Sequence, residues 1–124
     1  MRDRIFLGLA GCAGAISVTV DALARHALAG DAHAIELATI SARYGLIHAA
    51  ALLAIALLCQ RNERRFWLSL AGWLFVAALI LFCATLDVVA FGAPAWLLAL
   101  TPVGGTAFIA GWAALLVAAL TMRR

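Results

Sequence analysis

The sequence predicts an all-α membrane protein: a four-transmembrane-helix antiparallel bundle with both termini cytoplasmic. Three observations carry that expectation. Four apolar blocks, Ile5–Leu28, Leu37–Cys59, Phe66–Phe91 and Leu97–Met122, are separated by short polar breaks. A hydrocarbon core about 30 Å thick takes ~20 helical residues to cross, and every block reaches that length. The composition is 67% hydrophobic and 12% charged, against roughly 25% charged in soluble domains, so the chain could not cover a soluble surface. Finally, Arg2 and Arg4 precede the first block, Arg61, Arg64 and Arg65 divide the second from the third, and Arg123 and Arg124 follow the fourth. Cytoplasmic loops are enriched in Lys and Arg. Those breaks are therefore assigned to the inside, leaving Arg25 and Arg43 towards the outside.

The 124 residues read as a single integral membrane domain, 1–124, with helices at about 5–28, 35–59, 66–91 and 97–122. There is no room for a separate soluble catalytic unit. All nine basic residues are Arg, scattered without interleaved aromatics, which argues against a nucleic-acid partner. Cys12, Cys59 and Cys83 lie inside apolar runs with no C-x-x-C pair, and read as small apolar filler. Leu9-Ala10-Gly11-Cys12 looks like a lipoprotein cleavage box, but too few apolar residues precede it and the apolar run continues past it. The first block is read as a retained helix.

Along helix 1, Gly8, Gly11, Cys12 and Ala15 form a small-residue side. Such sides let helices approach closely in lipid, so this one is expected to pack within the bundle. Asp31 is placed to cap the start of helix 2. Helices 2 and 3, joined by the short break Gln60–Arg65, are antiparallel neighbours. Trp67 reads as an interface anchor at the inner end of helix 3. After Gly92-Ala93-Pro94, the stretch Ala95–Leu100 is expected to lie along the outer interface, with Trp96 at headgroup level. Pro102 favours a helix start there. Helix 4 then shows Gly104, Gly105, Ala107, Gly111, Ala114 and Ala118 as a second packing stripe. Ala71-Gly72-Trp73 and Ala110-Gly111-Trp112 repeat a tripeptide.

Charges inside membrane helices are expensive and usually pair or do work. At ~1.5 Å per residue, Asp21 is about 24 Å beyond Ile5 and Arg43 about 24 Å from Cys59, while Arg25 and Asp87 are about 30 Å from the inner ends of their helices. Asp21, Arg25, Arg43 and Asp87 thus form an expected outer charge layer. Its readings are a structural ion-pair network, a proton or ion relay, or interfacial solvation. His33 falls in the outer loop and His26 at the outer end of helix 1. His48 is deepest, about 16 Å from Cys59, on one face with Tyr44 and Ser41. It is expected to be buried, neutral and hydrogen-bonded to another helix or a backbone carbonyl, with haem or metal ligation as the alternative. An offset of ~15 Å between His26 and His48 disfavours a two-His haem.

Taken in order, His26-x-Leu28, Tyr44-x-x-x-His48, Ala71-Gly72-Trp73-Leu74-Phe75, Phe82, Thr101-Pro102-x-Gly104-Gly105 and Gly111-Trp112 resemble the small four-helix membrane family called domain of unknown function 423. The resemblance spans nearly the whole chain and implies fold and membrane location, with no reaction assigned. The chain departs from the family at two places. The glycine-rich end of helix 1 reads Asp21-Ala22-Leu23-Ala24-Arg25-His26-Ala27-Leu28, and a Phe-Ser-Gly-Ser-Leu-Tyr segment reads Phe82-Cys83-Ala84-Thr85-Leu86-Asp87. Asp21, Arg25 and Asp87 all sit at these departures.

The functional expectation is an accessory or assembly subunit of a larger complex in the bacterial inner membrane, touching lipid and other membrane subunits or further copies of itself, with no cofactor. It rests on small size, short loops, small-residue faces and the lack of a catalytic constellation. The alternatives are a small proton-coupled transporter using Asp21, and a membrane enzyme or cofactor carrier using Tyr44, His48 and Cys83.

Overall fold

The computed structural model describes residues 1–61 and 66–122, and every regular element among them is helical. Arg64, Arg65, Arg123 and Arg124, on which much of the arginine asymmetry rests, lie outside the described residues. Four helices are long and apolar enough to cross a membrane: α1 (Arg2–Ala27), α2 (Ala32–Arg61), α3 (Phe66–Ala90) and α4 (Ala95–Thr121). The helical ends extend past the apolar blocks at Arg2 and Arg61, because polar residues continue the hydrogen-bonded backbone once the apolar run has nucleated it.

Two connections follow their local chemistry. The Asp31 carboxylate accepts from the Ala34 amide at 2.9 Å, the side-chain cap its position implied. Gly30, at φ +97°, makes the turn before it. The stretch Ala95–Leu100 is a 3₁₀ helix with no buried residue, and the α-helix proper runs Thr101–Thr121 with Pro102 in its first turn. Trp96 is 71% exposed and Trp67 39%.

α3 is not a uniform α-helix. It is α-helical over Phe66–Ala78, a π-helix over Leu79–Ala84, and α-helical again over Thr85–Ala90. The buried positions show why this matters. Leu68, Ala71, Phe75 and Ala78 follow the normal three-four spacing, and the next buried residues are Cys83, Leu86 and Ala90. The step from Ala78 to Cys83 is one residue longer than an α turn provides. π turns of this kind often mark functional sites.

α1 rests mainly on α2, and α4 mainly on α3. The beginnings of α1 and α3 lie side by side, where Arg2 donates to the Ser69 hydroxyl at 3.2 Å. The core joins Phe6, Leu52, Ile55, Leu68, Phe75 and Phe108 from all four helices, with small residues between them. A second cluster near the other end holds Val20, Ala24, Leu37 and Leu86.

Candidate functional site

Glycines allow the tightest helix crossings. A Cβ on Gly104 would fall 2.6 Å from the Phe82 backbone nitrogen. One on Gly72 would meet the Phe6 ring at 2.6 Å, and one on Gly111 the Phe75 ring at 2.5 Å. The repeated Ala-Gly-Trp tripeptides therefore do the same job twice. In each, the glycine seats a phenylalanine ring from a neighbouring helix and the next residue borders it. Phe6 lies 5.3 Å from Trp73, and Phe75 lies 5.3 Å from Trp112, centroid to centroid. A Cβ on Gly105 would lie at an ordinary 3.9 Å from the Phe82 ring, and Ala107 is half-buried at the edge of the core.

The small side of α1 is different from what was expected. Gly8, Gly11 and Ala15 are exposed, and nothing lies within 4 Å of a Cβ built on Gly8 or Gly11. The buried face of α1 is instead Phe6, Ala10, Ser17, Val20 and Ala24. A large ring at Phe6, entering the hollow over Gly72, fixes which way the helix turns. The close α1–α2 approach is at Gly45, against Ser17, a position the sequence reading did not single out; the small series Ala42, Gly45, Ala49 on α2 was the available signal.

An aromatic-lined polar site sits between α2, α3 and α4. His48 is buried, at 4% exposure. Its Nε2 accepts a hydrogen bond from the Trp112 indole N–H at 3.0 Å. Its Nδ1 lies 2.7 Å from the Tyr44 carbonyl oxygen, so Nδ1–H donates. One neutral tautomer satisfies both bonds, an assignment made from the hydrogen-bond network. The ring stacks on Phe108 with centroids 3.7 Å apart, and Phe75 meets it edge-on at 5.1 Å. Tyr44 is 41% exposed and packs against Phe82 at 4.9 Å. With both ring nitrogens engaged, His48 presents no unused lone pair to a metal. Among the described residues, no three His, Cys, Asp or Glu side chains gather as a metal site.

Next along α2, Ser41 and Cys83 bond reciprocally. The Ser41 hydroxyl donates to the Cys83 carbonyl at 3.1 Å, and the Cys83 thiol donates to the Ser41 carbonyl at 3.5 Å. These bonds tie α2 to the π turn, where the normal α-helical carbonyl pattern is disturbed.

The expected outer charge layer is not assembled as one set. Asp21 and Arg25 do pair, at 3.5 Å and four residues apart, with side chains 38% and 70% exposed. Arg43 and His26 are exposed, and neither makes an ion pair among the described residues. Asp87 joins none of them. Its Oδ1 is buried without a hydrogen-bond partner. Matched depth was the basis for grouping these residues. Depth says nothing about the angle at which a side chain leaves its helix, and the π turn changes that angle for Asp87. Asp87 lines a cavity of about 200 Å³ between α1 and α3, together with Leu9, Cys12, Ile16, Ser17 and Cys83.

Residues 20–105 match the family model described as "Protein of unknown function (DUF423)". The chain is 33% identical over 117 residues to the "UPF0382 membrane protein" of Haemophilus influenzae, covering 93% of this chain and 92% of that protein. It is 31% identical over 126 residues to the "UPF0382 inner membrane protein YgdD" of Escherichia coli K12, covering 100% of this chain and 95% of the relative. The "UPF0382 membrane protein YwdK" of Bacillus subtilis is 29% identical over 120 residues, covering 94% and 97%. No solved structure matches the chain. Four spanning helices, the family-model match and full-length similarity to these membrane proteins agree: the chain belongs to the DUF423 family and is a multi-pass protein of the inner membrane.

Proposed function

We propose that this chain is an accessory or assembly subunit that docks a larger membrane complex through the outward face of α1, with both termini cytoplasmic. The observation that supports it is the open small-residue stripe Gly8, Gly11 and Ala15. It lies opposite the buried face of α1, and among the described residues nothing comes within 4 Å of a Cβ built on Gly8 or Gly11. In lipid there is no hydrophobic drive between helices. Association depends on close backbone approach, and small residues permit it. A stripe left unused within the bundle is suited to a helix from another subunit.

The test is the size of the native assembly. Wild-type protein extracted gently from its own membranes is expected to migrate well above its monomer mass on a native gel. Gly11→Ile, and Gly8→Ile with Gly11→Ile, should release it as a monomer of unchanged helical content. Quantitative recovery of the wild type as a lone monomer would refute the reading.

A further inference from the structure

The cavity between α1 and α3 has the makings of a ligand site that is separate from the proposed docking face. α1 and α3 touch at their beginnings, where Phe6 seats over Gly72, and then diverge. The divergence leaves a hollow of about 200 Å³ running from Leu9 and Val76 to Ser17 and Asp87. The π turn forms one wall through Leu79, Ile80, Cys83 and Ala84. Ile16 and Ile80 are exposed at its mouth, 57% and 61%, so it opens sideways to the acyl chains rather than to water. Cavities of about 150 Å³ with apolar walls take a benzene ring, so this one has room for a ring with a short tail.

Its polar end is unusual. The Ser41 hydroxyl faces the Asp87 carboxyl, but Oδ1 is buried with no hydrogen-bond partner, and no cation among the described residues is within ion-pair distance of it. Arg25, at this end of the bundle, is held by Asp21. A carboxylate in an apolar setting is costly unless a positive or donor group meets it. Apolar walls, a lateral mouth and an acid with an unpartnered oxygen and no cation beside it are complementary to one ligand class. We propose that the α1–α3 cavity binds a small lipophilic amine in its protonated form, its hydrocarbon part against Leu9, Ile16 and Leu79 and its ammonium on Asp87.

The experiment uses the full chain in phosphatidylcholine nanodiscs and tritiated phenethylamine as probe, with binding to empty nanodiscs subtracted. Saturable binding is expected in the wild type. Asp87→Asn should weaken it by about tenfold or more, the range for losing a charge-assisted bond. Cys12→Trp, at an exposed position on the cavity wall, should block it without touching the acid. Ethylbenzene, the uncharged shape analogue, should compete at least about tenfold less well. No saturable binding to the wild type would overturn the proposal, as would equal affinity in Asp87→Asn or in Cys12→Trp. If Asp87→Asn fails to fold, Cys12→Trp and the ethylbenzene comparison decide the matter. Monomeric wild type that binds the amine would refute the docking role and leave this site standing; an assembly that does not bind it would do the reverse.

Discussion

The Trp112 indole N–H donates to His48 Nε2 at 3.0 Å, from α4 to α2. It is a side-chain bond linking helices far apart in sequence, deep among aromatic rings, and it fixes the ring tautomer. Trp112→Phe keeps an aromatic ring against Phe75 and removes the donor. The loss should be about 1 kcal/mol, since bonds between membrane helices average ~0.6 and rarely exceed ~1.7 kcal/mol. Equilibrium unfolding in mixed micelles measures it. Unchanged stability would mean that a lipid or water donor replaces the indole.

Glycine substitutions should divide sharply. Gly104→Ala places a methyl on the backbone at Phe82, which cannot turn aside, and overpacking of this kind typically destabilises by about 1–3 kcal/mol. Gly8→Ala and Gly11→Ala face open space and should match or slightly exceed the wild type, because alanine is the better helix former. A thermal-melt series ranks them. A loss at Gly8 equal to that at Gly104 would contradict the packing described.

Asp87 and Arg25 should behave as strangers. They form no ion pair with each other, so the change Asp87→Asn with Arg25→Gln should equal the sum of the single changes within about 0.5 kcal/mol. Arg25→Gln alone breaks an exposed pair, worth at most about 0.5 kcal/mol on a helix surface. Asp87→Leu should raise the melting temperature, because it removes a buried oxygen that has no partner. Strong coupling in the double mutant would restore the single charge layer expected from depth alone.

Topology is open to direct labelling. In a variant with the native cysteines replaced, a cysteine added ahead of Met1 should be inaccessible to a membrane-impermeant maleimide in sealed cells. One placed at His33, exposed in the first turn of α2, should react. The reverse pattern would invert the bundle.

Much of the fold was legible because the signals were local. Block length gave the four spans. Asp31 and Pro102 marked helix starts through the chemistry of their own first turns. Gly104 and Gly111 were readable because small residues at helical spacing stood beside large ones. The α1 stripe misled for a related reason. A helix apolar on every side carries no periodicity to say which face is inside, and small residues suit a bundle interface or an open face equally. Phe6 settled it, through a partner glycine sixty-six positions away. The π turn left no sequence mark at all, since Leu79–Ala84 contains no glycine or proline. The separation of Asp87 from Asp21 and Arg25 was hidden with it.

That turn also sets what the rest of α3 can tolerate. Each α-helical residue advances the face by about 100°, and the π segment accommodates one residue beyond the α-helical count. Beyond it, Asp87 points as residue 86 of an uninterrupted helix would; a straight helix of the same length would swing the carboxyl by about 100° towards the bilayer. Deleting a single residue within Leu79–Ala84 should therefore relax the turn to ordinary α-helix and leave the direction of every later side chain intact. Adding one there should misdirect them all. The segment works as a slack link, and lengths among sequences of this fold should vary there by loss of one residue more readily than by gain.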